Sequence, residues 1–405
     1  MGDWDALYAT RTKNMRASEI RELLKLLDQP DIISFAGGIP DPALFPKDAI
    51  KAAYDAVLTK NADAALQYSV SEGYRPLREW LVQHMAGLGV ACSIDNIIIT
   101  TGSQQALDYL GKLFISPGDT VLTTWPTYLG ALQAFNAYEP RYDRLNPEQG
   151  NMTPAAYREA AEAAGGEVQM AYLTADFSNP TGETVSHDGR IRLIELAHEL
   201  DIPLIEDAAY QALRFDGEPT ASMLALDCER SGDINNTRVI YSGSFSKTLT
   251  PGLRVGWICA AQPVVAKLVL IKQAADLHSP TINQMAIHHV AERDFTKQVE
   301  KVRGSYRQRR DYMLDALARF MPAGVTWTKP EGGMFVWVTL PEGMDGAALL
   351  AQALKTVRVA FVPGAAFHAD GSGKNTIRLN YSLPNKEAIE TGISRLGKLI
   401  ADEMA

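Results

Sequence analysis

One lysine, Lys247, sits in a run of small hydroxyl residues that ends on a turn and an arginine. Ser244, Ser246, Thr248 and Thr250 surround it, and Pro251, Gly252 and Arg254 follow. Hydroxyls and an arginine around a turn offer several donors and one fixed positive charge, which is a grip for a phosphate. A lysine in the same place, if partly desolvated, has its amine pKa lowered and forms a Schiff base with a carbonyl. Phosphate grip and Schiff-base lysine together are the chemistry of pyridoxal 5'-phosphate (PLP). Taken alone, the stretch also fits a strand followed by a polar loop on any α/β protein.

Three other stretches carry chemistry. Ile97, Ile98 and Ile99 read as a buried strand, and Gly102, Ser103 and Gln104 open a helix after it. Strand, glycine turn and helix N-terminus make an anion site, because free N–H groups and the helix dipole point the same way. Ser103, Gln104 and the nearby N–H groups are therefore the expected seat of the phosphate. Leu204 and Ile205 lead to two acids, Glu206 and Asp207. A carboxylate paired with a pyridine nitrogen keeps that nitrogen protonated, and strand alternation lets only one of the two face a ring. Arg378 lies between Ile377 and Leu379 with its side chain on the other face, where a bidentate guanidinium suits an α-carboxylate. A plain edge-strand charge is the alternative for Arg378.

The Ser-x-Ser-Lys segment at 244–247, followed by Pro-Gly-x-Arg at 251–254, resembles the cofactor-lysine segment of fold-type I PLP enzymes, the aspartate-aminotransferase superfamily. The resemblance runs from about residue 16 to residue 382 and matches six segments in order. Residues 18–24 and the Ser34–Pro40 loop resemble the subgroup of 2-aminoadipate and kynurenine aminotransferases, with the thermophilic LysN type closest in pattern.

The resemblance implies a role for each matching residue. Lys247 holds the cofactor, and Ser244, Ser246 and Arg254 complete the phosphate grip. Tyr68 reaches the phosphate of the neighbouring subunit, and Tyr128 lies against the pyridine ring. Asn179 and Tyr210 bind the phenolic oxygen, Asp207 pairs with the ring nitrogen, and Arg378 takes the substrate α-carboxylate. Asn179 and Gly38 also line the substrate side. Arg21, on an N-terminal helix over residues 16–27, meets a side-chain carboxylate of the substrate or is simply a solvated helix charge. Tyr68 as an ordinary buried aromatic, and Glu206 in place of Asp207, stay open here. The subgroup often has an aromatic-Gln before Asn-Pro; this chain has Phe177 and Ser178, so its pocket wall differs.

These residues need a scaffold that gathers strand ends. Further strands are expected at 120–125 and 168–174, and every candidate lies at a strand's C-terminal end, where open α/β sheets bind ligands. The implied architecture is α/β fold type I: a mostly parallel mixed sheet in a large domain with helices on both faces, plus a smaller α+β domain. The expected division is 1–45 for an N-terminal helix and loop joining the small domain, 46–290 for the PLP domain and 291–405 for the small domain. A long charged helix over residues 295–320 opens the last part. Phe135 and Tyr138 are expected in the core, and residues 153–164 on a surface helix.

The 405 residues are 46% hydrophobic and carry a net charge of −9, which argues against nucleic acid as a partner. The most apolar long run, residues 255–271, is broken by Gln262, Pro263 and Lys267 and will not span a bilayer, so no membrane partner is expected. The acidic start shows no signal peptide, and the odd trio Cys92, Cys228 and Cys259 reads as reduced thiols of a cytoplasmic protein. His278 and the His288–His289 pair lack companion ligands at metal spacing, so no metal is expected.

The resemblance thus implies a homodimeric aminotransferase with sites shared between subunits. It would move the amino group of an L-amino acid (2-aminoadipate, aromatic or aliphatic) to a 2-oxo acid, 2-oxoglutarate foremost, in two half-reactions through a Schiff base on Lys247. A C–S lyase, a decarboxylase or a racemase on the same fold is not excluded by these motifs. A PLP-sensing regulator is the non-enzymatic alternative, against which stand the acidic composition and the short segment ahead of residue 16.

Overall fold

The computed structural model describes residues 4–15 and 31–405. Its centre is a seven-stranded sheet. From edge to edge the strands are Ile97–Thr100, Gly256–Cys259, Val239–Ser244, Leu204–Asp207, Val168–Leu173, Thr120–Thr123 and Arg141–Arg144. Gly256–Cys259 is antiparallel to both its neighbours, and every other pairing is parallel. Parallel strands need covered faces, and these alternate accordingly. Ile97, Ile99, Leu173, Leu204 and Trp257 enter one apolar cluster, whereas Ile98, Tyr172, Ile205, Ile240 and Ile258 enter the cluster on the opposite face.

The single reversed strand matters for the site. Because it runs backwards, its first residue, Gly256, lies beside the last residues of its neighbours, opposite Thr100 on one side and Ser244 on the other. The turn after Thr100, the hydroxyl run after Ser244 and Arg254 before Gly256 therefore meet at one edge. Gly256 makes this approach possible: a Cβ there would lie 2.9 Å from the Ser103 nitrogen and 3.0 Å from the Gly243 oxygen.

A second, antiparallel sheet is ordered Val362–Pro363, Thr376–Asn380, Phe335–Thr339 and Thr326–Trp327. Thr376–Asn380 is thus an interior strand, which removes the edge-charge alternative for Arg378. Ile377 and Leu379 enter the apolar cluster of this sheet with the helix Lys386–Met404. Ile33–Ser34 pairs with Val359–Ala360, and the Phe35 carbonyl accepts from the Asn380 N–H, so the Ser34–Pro40 loop starts beside the Thr376–Asn380 strand.

The long charged helix begins earlier than its sequence suggests, covering Thr281–Phe320 rather than residues 295–320. At 40 residues it is about 60 Å long. Ala286, Ile287, Val290 and Ala291 pack into the first core, while Val302, Tyr306, Met313 and Leu317 pack into the core of the smaller sheet. The change of pattern near residue 290 marks a change of packing partner along one helix. The surface helix is found at Pro154–Ala163, capped by Thr153, and Phe135 is buried. Among the described residues no helix is long and apolar enough to cross a membrane.

Candidate active site

Lys247 follows the Val239–Ser244 strand and turns inward, its Nζ donating to the Gly38 carbonyl at 3.1 Å and standing 5.9 Å from the centre of the Tyr210 ring. Burial lowers its amine pKa from 10.5 to about 8, and the positive charges of Arg378 and Arg254 add to that, with Asp207 opposing. A fair share of the amine is therefore neutral near physiological pH, as a nucleophile or base requires.

The two acids of the Leu204–Asp207 strand separate as alternation demands. Glu206 accepts the N–H groups of Met223 and Leu224 at the start of the helix Met223–Ser231, with Arg190 at 3.9 Å, which is a structural role. Asp207 faces the other way, where its Oδ2 accepts from the Tyr172 hydroxyl at 2.9 Å and its buried Oδ1 has no hydrogen-bond partner among the described residues. Burial raises the Asp207 pKa to about 6, while Tyr172, the Ala209 N–H and Lys247 pull it back.

Asn179 and Arg378 close the inner end. The Asn179 amide donates to the Tyr210 hydroxyl at 3.3 Å, and its oxygen accepts from Arg378 Nη1 at 2.7 Å. Arg378 Nη2 donates to the Ala36 carbonyl at 2.7 Å, and the guanidinium lies over the rings of Phe335 and Phe367. The residue is 1% exposed, its Nε has no partner among the described residues, and desolvation lowers its pKa to about 10. Tyr128 caps the helix Leu129–Phe135 and folds back over Gly130, and its phenol is close enough to bear on the charge states of Tyr210 and Arg378.

The outer end is polar and open. Ser244 Oγ accepts from the Ser246 N–H, and Arg254 reaches Ser246 Oγ at 3.5 Å and the Thr101 carbonyl at 3.4 Å. Gly102, with φ of 79°, turns the chain into the helix Ser103–Phe114, and a Cβ on it would sit 2.2 Å from Arg254 Nη2. The first-turn N–H groups of Ser103 and Gln104 precede the helix's own ladder. The Gln104 side chain is committed to the Gly130 carbonyl at 2.7 Å, which leaves its main-chain N–H for an anion.

Lys247, Gly38, Asp207, Tyr210, Asn179 and Arg378 are thus gathered at one end, with Ser103, Gln104, Ser244, Ser246 and Arg254 at the other and Tyr128 beside the inner set. Tyr68 stands apart, 78% exposed with its ring edge-on to His278, so it is not the buried aromatic of the alternative reading. Arg21 lies outside the described residues. The phenol of Tyr172 and the paired rings of Phe335 and Phe367 were not singled out in the sequence. A tyrosine inside an apolar strand carries a polar tip that needs a partner, and that was the available signal for Tyr172.

The donor set suits PLP. An unpaired buried carboxylate oxygen fits a protonated ring nitrogen, and the close-approach turn at Gly102 with Arg254 fits a phosphate. Together with the sheet order, these features define a fold-type I PLP enzyme.

Residues 30–396 match aminotransferase class I and II. The chain is 43% identical over 410 residues to aromatic-amino-acid aminotransferase 1 of Thermococcus litoralis, covering 99% of this chain and 96% of that one. It superposes with a TM-score of 0.91 at 43% identity on Pyrococcus horikoshii kynurenine aminotransferase, solved with pyridoxamine phosphate, covering 100% of this chain and 99% of that one. The match to LysN, the α-aminoadipate aminotransferase of Thermus thermophilus solved with N-(5'-phosphopyridoxyl)-L-leucine, has a TM-score of 0.89 at 39% identity, again over 100% and 99%. The chain belongs to the class I and II aminotransferase family; it is a transaminase with PLP as cofactor.

Proposed function

We propose that this enzyme takes the amino group from 2-aminoadipate, aromatic or aliphatic L-amino acids and passes it to a 2-oxo acid, 2-oxoglutarate foremost, in a ping-pong cycle. The observation that carries the reading is the Ala36–Gly38 segment. The Ala36 carbonyl orients Arg378 and the Gly38 carbonyl orients Lys247, so one short loop sets the carboxylate binder against the reacting amine. That spacing suits an α-amino acid, whose carboxylate and amine share one carbon.

PLP, when bound, supplies the carbonyl that takes up the amino group and a ring that accepts electrons from Cα. Arg378 holds the substrate carboxylate with its planar fork, kept rigid by Asn179, Ala36 and the two flanking rings. Lys247, with its amine poised near pH 8, takes the Cα proton and returns it on the cofactor side. With the cofactor bound, Asp207 would balance positive charge on the ring nitrogen, Asn179 and Tyr210 would bind the phenolic oxygen, and Tyr128 would support the ring. Ser103, Gln104, Ser244, Ser246 and Arg254 would hold the phosphate, and Gly38 would line the substrate side. Arg21 is assigned to an acidic donor side chain.

The reading extends to the whole enzyme. It is a homodimer in which Tyr68 completes the neighbouring site, and the parts are residues 1–45, 46–290 and 291–405, with the helix Thr281–Phe320 passing across the last boundary. A cytoplasmic location is favoured by the three cysteines, all free thiols.

The test follows the absorbance of the bound cofactor while amino acids are added without any oxo acid. A donor should convert the cofactor to its amine form, and 2-oxoglutarate should restore it. Release of pyruvate or ammonia with the cofactor unchanged would overturn the reading in favour of a lyase. Lys247→Ala should abolish turnover; near wild-type transamination by that variant would remove Lys247 from its role.

A further inference from the structure

Lys272 is a buried cation that the reaction described above does not use. Lys272, near the end of the helix Gln262–Ala275, has a fully buried side chain, and its Nζ meets four oxygens. They are Gln105 Oε1 at 3.0 Å, Asp276 Oδ1 at 2.9 Å and Oδ2 at 3.0 Å, and Ser279 Oγ at 3.1 Å.

We propose that Lys272 is a positioning residue for the cofactor phosphate, acting through Gln105 and Asp276 to hold the Thr101–Ser103 turn in its anion-binding shape.

The chain of contacts is continuous. Gln105 Oε1 accepts from both Lys272 and the Thr101 N–H, the latter at 2.8 Å, while Gln105 Nε2 donates to Asp276 Oδ2 at 2.7 Å. A flipped amide would set its NH₂ against two donors, so this orientation is fixed by chemistry. Asp276 also accepts from the Tyr109 hydroxyl at 3.1 Å and from Thr101 Oγ1 at 3.2 Å. Thr101 is therefore held by its N–H and its hydroxyl, and its carbonyl accepts from the phosphate arginine, Arg254. The next residue is Gly102, with the free helix N–H groups directly after it.

Charge explains why a lysine occupies the site. Asp276 lines a cavity of about 570 Å³ that it shares with Thr101, Gln104, Gln105, Tyr109 and Arg254. A lone carboxylate there would repel a phosphate bound at the turn. Burial alone would raise the Asp276 pKa, but hydrogen bonds from Gln105 and Lys272 outweigh it and hold the group ionised. Lys272 offsets that charge from behind; burial lowers its own pKa, and the hydrogen bond and charge of Asp276 oppose that only in part. Only the lysine of this pair is buried, its partner carboxylate being partly exposed, so the contact fixes the position of Asp276 rather than sealing an ion pair in the core.

The inference rests on the assignment of the phosphate to this turn, so the experiment tests both. Holoenzyme variants Lys272→Met, Gln105→Leu and Arg254→Leu are compared for PLP retention on dialysis, for the ³¹P resonance of the bound phosphate and for thermal unfolding. Lys272→Met and Gln105→Leu should each weaken PLP binding about tenfold, equivalent to about 1.4 kcal/mol, and shift the ³¹P signal. A lower unfolding temperature with wild-type PLP retention and ³¹P signal would overturn the inference and leave a purely structural lysine. If Lys272→Met fails to fold, Gln105→Leu decides, since it cuts the link to Thr101 without stranding a charge. An Arg254→Leu variant that also binds PLP like the wild type would overturn the phosphate assignment itself.

Discussion

At the scale of single residues the site is a set of carboxylate and guanidinium groups whose second contacts decide their behaviour. Asp207 shows this most clearly. A carboxylate has two oxygens, and Tyr172 occupies one of them, so a single oxygen is left for a ring nitrogen. The phenol also lowers the basicity of Asp207 and favours its ionised form. Tyr172→Phe keeps the ring and its packing but removes the donor. The Asp207 pKa then rises, and the proton shared with the ring nitrogen moves toward the carboxylate. A hydrogen bond to a charged group is worth about 1.5 kcal/mol or more, so kcat should fall about tenfold. KM should hold within about twofold, because Tyr172 touches no substrate atom. The ¹⁵N resonance of ring-labelled PLP should move toward the unprotonated value. An unchanged ¹⁵N signal would show that Tyr172 acts only as core.

At the scale of elements the helix His187–Leu200 fixes the loops that carry these residues. Its Arg190 is fully buried and donates to Asp176 at 2.8 Å, and to the carbonyls of Ala175, Val185 and Ala221. One side chain thus pins the loop that leads to Asn179 and the loop that leads into the Met223–Ser231 helix behind Glu206. Arg190→Met would strand Asp176 and leave Glu206 without a cation, a loss of about 3–5 kcal/mol measurable by urea unfolding. A loss below about 1 kcal/mol would mean that Arg214, at 3.5 Å from Asp176, compensates. This pinning was invisible in the sequence, because it joins positions far apart in the chain by contacts no local pattern encodes. The apolar strands were legible, since Ile97–Ile99, Val168–Leu173 and Leu204–Asp207 are short hydrophobic runs bounded by turn residues. Arg141–Arg144 was not, for it is a charged edge strand, Arg-Tyr-Asp-Arg, with an exposed rim that carries no hydrophobic signal. The apolar run 255–271 hid two elements, the reversed strand Gly256–Cys259 and the helix Gln262–Ala275, because both are hydrophobic and only Gln262 and Pro263 mark the join. The motifs named the candidate residues, but the reversed strand is what gathers Arg254, Gly102 and Ser244 at one edge.

At the scale of the whole molecule the chain exposes an apolar patch that one ring contact connects to the segment beside the phosphate turn. Leu66, Tyr68 and Val70 are exposed at 72%, 78% and 57%, and the ring contact between Tyr68 and His278 joins them to exposed Leu277, one residue from Asp276 on the cavity wall. The proposed dimer would cover a patch of this kind with a second copy of the chain and bring Tyr68 to the partner's cofactor. Hybrid dimers test that arrangement. In a dimer of one Lys247→Ala chain and one Tyr68→Ala chain, one site takes both lesions if the tyrosine crosses over. The other site then combines an intact Lys247 with the intact Tyr68 of its partner. Hybrids purified through two different tags should carry about half the wild-type activity at limiting PLP, one good site in two. If Tyr68 instead serves its own chain, each site in the hybrid holds one lesion, and activity stays at the mean of the two parents. Within the single chain Tyr68 meets His278 and stands apart from the phosphate residues, which favours the crossed arrangement, and the hybrid decides between the two.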